Sequence, residues 1–175
     1  MNIDSLIISS IRNSAVQVFS TMLASEIEAG ELAIENSGPG RVEGVVSFLG
    51  IAGHWAGTGS LSCSASTACR ICSRMLMTEV ATLDEDVLDA VAELTNMIIG
   101  NVKSELERYV GDLGLSLPTV VFGKNFRTKT GGAGDWIVQK FIWEGQELLV
   151  KMCLAPADRC AHGTPHAINR HPAEI

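Results

Sequence analysis

Residues 83–110 carry one long helical period. With each residue advancing about 100°, Val87, Leu88, Val91, Leu94, Ile98, Val102, Leu106 and Tyr109 fall on one side. Asp89, Glu93, Asn96, Gly100, Lys103 and Glu107 fall on the other. Asp84, Glu85 and Asp86 occupy the first turn, where the helix dipole favours negative charge. A second period covers residues 4–28, with Ile7, Ile11, Ala15, Val18 and Met22 in line and Gly30 as the expected C-cap residue. A short helix is predicted over residues 68–77, capped by Ser66 or Thr67, with Ile71, Met75 and Leu76 turned inward.

The remaining apolar runs read as strands: 32–34, 42–49 and 55–63 before the central helix, and 117–123, 136–143 and 147–154 after it. Gly53, Gly57 and Gly59 point to a bulge or a close backbone contact. Pro118 withholds an amide donor, so its strand is expected to open there or lie at an edge. Glu144-Gly145 is a tight-hairpin signal. Residues 37–40 read as a turn, and the glycine-rich 127–135 as a flexible turn too irregular for a phosphate loop. Strand 136–143 is apolar on both faces, Trp136, Val138 and Ile142 on one and Ile137, Phe141 and Trp143 on the other. That predicts cover on both sides, the second by another subunit with Ile137 or Phe141 at the interface. From Ala155 the chain loses all periodicity and reads as a mobile tail, 155–175, after a domain of residues 1–154.

The order predicts a single α+β domain: two long helices packed beside a mostly antiparallel sheet of about six strands, with one short extra helix. It also points to an internal repeat. Setting Phe19–Leu23 on Leu94–Ile98 places Val18 opposite Glu93 and Thr21 opposite Asn96.

Composition narrows the chemistry. Of 175 residues, 46% are apolar and 19% charged, which fits a globular chain. A net charge of −7 with no basic stripe argues against nucleic acid. No apolar run reaches the roughly 18 residues of a membrane span, and the first residues do not read as a signal peptide, so a cytoplasmic location away from membranes is expected. Five cysteines, an odd number, are no disulfide framework. Cys69 and Cys72 form a lone Cys-x-x-Cys, read as small buried helix residues with no metal bound; a zinc or redox centre on that pair is the competing reading.

The polar stripe of the central helix holds the candidate site. Asp89, Glu93 and Asn96 stand at i, i+4 and i+7 and point the same way. Asn is a poor interior helix former and Gly100 a worse one, and the glycine leaves a gap through which another surface can approach. Asn cannot act as a general base near neutrality, but its amide can hold a water. No Walker motif, metal-ligand cluster or Ser/His/Asp order accompanies it.

The run ELTNMIIGNVKSE, the Asp-x3-Glu-x2-Asn spacing, the following Gly100-Asn101 and the strand-opening Leu117-Pro118 resemble the CheC/CheX family of response-regulator phosphatases, most closely CheX. The resemblance extends over most of residues 1–154 and is strongest from Asp89 to Gly123. It implies a pseudo-two-fold repeat with at most one active copy here, and a homodimer. It implies chemotaxis or related two-component signalling, with a phosphorylated CheY-like receiver domain as substrate and its aspartyl phosphate hydrolysed. Glu93 and Asn96 would be catalytic, Asn96 aligning water and Glu93 pairing with the receiver's lysine, while Asp89 and Gly100 would meet the partner. The receiver would supply Mg²⁺, and this chain would bind no cofactor. A non-catalytic receiver-binding adaptor using the same helix is the alternative.

Overall fold

A computed structural model describes residues 2–35, 41–127 and 135–158. The chain runs α1 (Ile3–Met22), β1 (Glu28–Glu35), β2 (Arg41–Gly53), β3 (Trp55–Cys63), α2 (Ala65–Leu76), α3 (Glu85–Val110), β4 (Leu113–Leu115), β5 (Thr119–Arg127), β6 (Trp136–Trp143) and β7 (Gln146–Pro156). This is the expected α+β architecture, with seven strands in place of about six.

Each helix starts at a side-chain cap. Asn2 accepts from the Asp4 amide at 3.2 Å, Ser64 from Thr67 at 3.1 Å, and Asp84 from Val87 at 3.1 Å. The short helix therefore begins earlier than its pattern indicates, because Ser64 rather than Ser66 or Thr67 takes the capping role. Its Ile71 is buried, but Leu76 is half exposed at the last turn. The first helix stops at Met22, well short of Gly30. Ala24 turns to φ 46, the Ser25 amide donates back to the Phe19 carbonyl at 3.3 Å, and the Trp143 indole N–H donates to Ser25 Oγ at 2.9 Å. A side chain more than a hundred residues away thus fixes the end of α1, and Gly30 lies inside β1.

The sheet order is β1-β6-β7-β3-β2-β4, all antiparallel, with β5 also paired to β2. The β6–β7 turn is Glu144 at φ 49 and Gly145 at φ 74, the left-handed pair that a two-residue hairpin needs. Glu144 also holds α2 through Arg70, at 3.5 Å, and Arg74. β4 and β5 share one side of β2, pairing with Ile51–Gly53 and Arg41–Phe48 in turn. They form a broken edge strand, interrupted at Ser116-Leu117-Pro118. β5 opens at Thr119, directly after Pro118, so both Leu117 and Pro118 lie outside the strand.

The pairings obey a pseudo-two-fold. Exchanging β1 with β5, β2 with β6 and β3 with β7 maps the sheet onto itself, with the β3–β7 pair at its centre. The helices follow the same relation in a different register from the expected one. Ile7 matches Val87, Ile11 matches Val91, Val18 matches Ile98 and Phe19 matches Ile99, all buried. Val18 is core, so it is no counterpart of the exposed Glu93. In the corrected register Asn13 stands opposite Glu93 and Val16 opposite Asn96. The first copy still lacks the Glu and the Asn.

All three helices share one core with one face of the sheet, α3 lying between α1 and α2. Ile137, Phe141 and Trp143 belong to this core, with Phe19 edge-on to Trp143 at 5.4 Å. Their apolar face is explained by α1, so neither Ile137 nor Phe141 is available to a second subunit. Trp136 and Ile142 are half-buried on the opposite face, where no helix lies among the described residues. Gly59 lets α3 settle onto β3, since a Cβ there would stand 2.8 Å from Ile99 Cδ1. The predicted turns at 37–40 and in the glycine-rich stretch fall outside the described residues, apart from flanking positions. So does the tail beyond 158, whereas Ala155 and Pro156 complete β7.

Candidate functional site

α3 buries Val87, Ala90, Val91, Leu94, Thr95, Ile98, Ile99, Val102 and Leu106. The opposite stripe is consequently held outward by the packing of the whole helix. Asp89 and Glu93 are exposed, and Asn96 and Gly100 are half-buried. The structure thus brings all four sequence-predicted site residues together along one line. Tyr109, expected on the apolar side, is 60% exposed near the C-terminal end of the helix.

Among the described residues, the side chains of Asp89, Glu93 and Asn96 form no hydrogen bond or ion pair. Their side chains tie down no other part of the fold by a polar contact and stand available to a partner. The cation further along the stripe is already engaged, Lys103 Nζ lying 2.7 Å from Glu107 Oε1. Glu107 also accepts from the Leu113 amide at 3.0 Å, tying β4 to the helix end. The hydrogen bond from Lys103, then that amide, hold the Glu107 carboxyl below its usual range. Its contribution to stability is therefore present above the unfolded carboxylate range and fades as the pH falls. With Asp84, Glu85 and Asp86 exposed just before it, the N-terminal half of α3 presents an acidic ridge with one amide, Asn96, at its end.

Beside the stripe runs the broken edge strand, which the sequence pattern did not resolve. Leu115 packs on the core next to Gly100, and Ser116, Leu117 and Pro118 follow. Only the short LGL run between Gly111 and Pro118 signals β4, and three residues give no period to read.

Elsewhere, Cys63 at the end of β3 and Cys69 and Cys72 on α2 are buried in the core. Burial pushes the Cys63 thiol up to about 12 and raises Cys69 and Cys72, with the Asp84 carboxylate adding to the last two. Thiols held protonated are poor nucleophiles. Among the described residues no group of three His, Cys, Asp or Glu side chains could hold a metal. Replacing Cys69 and Cys72 together by Ala is expected to cost ~1–3 kcal/mol of stability, measured by denaturant unfolding, with activity kept. Stoichiometric zinc in the wild type that the double variant loses would overturn this.

Comparison with known proteins gives the stripe a context. The family model described as chemotaxis phosphatase CheX matches residues 45–141, which run from within β2 to within β6 and include α3. The CheY-P phosphatase CheX of Thermotoga maritima is 35% identical over 89 residues, 50% of this chain and 57% of that protein. The matched segment thus spans little more than half the length of that relative. The chemotaxis protein CheX of Vibrio vulnificus shares the fold at a TM-score of 0.76 and 25% identity, over 85% of this chain and 99% of the other. The chain from the CheX–CheY–BeF3–Mg²⁺ complex of Borrelia burgdorferi does so at 0.70 and 22%, over 84% and 96%. No helix among the described residues is long and apolar enough to cross a membrane.

Proposed function

The chain belongs to the CheX family of chemotaxis phosphatases, and from that membership we propose that it hydrolyses the aspartyl phosphate of a CheY-like receiver domain. The observation that carries the proposal is the placement of Glu93 and Asn96, side by side on α3, facing outward and unused by the fold. An acyl phosphate is already activated, and phosphoryl transfer is catalysed largely by positioning and charge stabilisation. Asn96 reaches into the receiver's site and aligns a water in line with the phosphorus. The water's oxygen bonds to phosphorus, the bond to the aspartyl oxygen breaks, and the water's proton passes to the released phosphate or solvent. Glu93 pairs with the receiver's lysine and sets the helix in register. Asp89 adds negative charge at the rim, and Gly100 admits the partner's surface. The receiver brings Mg²⁺, and this chain binds no cofactor for the reaction. The setting is the cytoplasm, in chemotaxis or a related two-component pathway.

The test is the rate of phosphate release from a phosphorylated receiver of the same genome, with and without this chain. Acceleration that saturates with receiver is expected. Binding of the receiver without acceleration would replace the enzyme by an adaptor that uses the same helix.

The active form is proposed to be a homodimer. The half-buried Trp136 and Ile142 on the uncovered sheet face support this, as does family membership. Light scattering at micromolar concentration should give about twice 18.6 kDa, and a clean monomer there would refute it.

A further inference from the structure

Among the described residues nothing around Gly100 requires a glycine. Its φ is not positive, and a Cβ built on it would meet one atom, Leu115 Cδ1, at 4.0 Å, an ordinary contact. Gly59 differs, its Cβ being driven into Ile99, and so does Gly57, whose Cβ would fall 1.9 Å from the Cys153 carbonyl oxygen. A glycine inside a helix destabilises it relative to alanine. The fold therefore gives up stability at Gly100 to keep an open notch one turn beyond Asn96, floored by Leu115.

Beside this notch the edge strand breaks. Ser116 donates its amide to the Gly50 carbonyl at 2.9 Å, accepts the Gly50 amide on Oγ at 2.9 Å, and donates that hydroxyl to the Leu117 carbonyl at 2.9 Å. Pro118 fixes the next φ. Between these two anchors Leu117 is held 88% exposed. An apolar side chain on a backbone already immobilised loses little further entropy when it is covered.

We propose that Gly100, Leu115 and Leu117 form an apolar docking notch for the receiver, taking one apolar side chain from the surface around its phosphorylation site. The inference rests on the phosphatase reading, because the notch adjoins the Glu93–Asn96 stripe that the receiver would have to cover. It separates two tasks along one helix. The acidic stripe engages the reacting centre, and the notch supplies affinity and selects among receivers.

The test uses the full chain with Gly100→Ala, Gly100→Leu and Leu117→Ser, and a phosphorylated receiver as substrate. Gly100→Ala should raise Tm by about 2–4 °C, so that any lost turnover cannot come from unfolding. KM should rise about 3-fold for Gly100→Ala and about 10-fold or more for Gly100→Leu and Leu117→Ser, with kcat falling much less. Unchanged KM in Gly100→Leu and Leu117→Ser would overturn the proposal. So would a change in mass by light scattering with KM unchanged, since the notch would then serve a second copy of this chain. If the wild type releases no phosphate, the phosphatase reading fails by itself. The notch is then judged by titration with a beryllofluoride-activated receiver, where weaker binding by the variants supports it and equal binding overturns it.

Discussion

Asn96→Ala is expected to slow receiver dephosphorylation by about 10²–10³-fold, the usual scale for one preorganised hydrogen-bonding group at a reacting centre. The fold should not suffer. The Asn96 side chain has no hydrogen bond among the described residues, and alanine is the better helix former. Asn96→Asp is the sharper variant. It keeps the size of the side chain, replaces an amide donor by a negative charge, and sets that charge towards the phosphoryl oxygens, so it should be at least as damaging. Both are measured as phosphate release at saturating and subsaturating receiver. For comparison, Glu93→Lys should raise KM, since like charge would then face the receiver's lysine. Wild-type turnover in Asn96→Ala would remove Asn96 from the water-aligning role and leave the adaptor.

The largest effect on stability is expected at Phe141. Its side chain is fully buried between α1 and the sheet, one residue on from Lys140 and two before Trp143. Phe141→Asp deletes a packed ring, at about 3–5 kcal/mol, and leaves a carboxylate without a partner in the core. Together these approach the whole stability of a typical domain, about 5–15 kcal/mol. The variant should lose its cooperative thermal transition and its soluble yield. Ile142→Glu, on the other face of the same strand, should fold and melt cooperatively, and so serves as the probe of self-association. A folded, monomeric Phe141→Asp protein would return that face to the interface.

The strand containing both residues shows what a linear pattern conveys and what it does not. Alternation assigned Ile137, Phe141 and Trp143 to one face and Trp136, Val138 and Ile142 to the other, and the structure agrees. Alternation carries no information on which face meets a helix, and α1 covers the one assigned to a partner. Central helix α3 was legible because 26 residues give many turns of period and Asp84 supplies a cap. Its candidate site drew attention because Asn96 and Gly100 are poor choices for a solvated helix and so stand out from it. The end of α1 was not, because it depends on Trp143 reaching Ser25. Nor was the neighbourhood of Gly100, which depends on three residues of β4 brought beside it by β2.

The crossed pairing of the two halves constrains how the chain can assemble. β1 has its partner in β6, and β5 has its partner in β2, so neither half closes a sheet from its own strands. During synthesis, β1 emerges early and stays without a strand partner until Trp136–Trp143 has been made. Its Glu28, Glu31 and Glu35 keep that edge charged during the wait, which discourages pairing with other nascent chains. Closure over so long a separation is slow compared with local helix formation, and it makes folding a single late event. α3, with the whole polar stripe, is made before that event and gains its complete sheet only when the last two strands arrive.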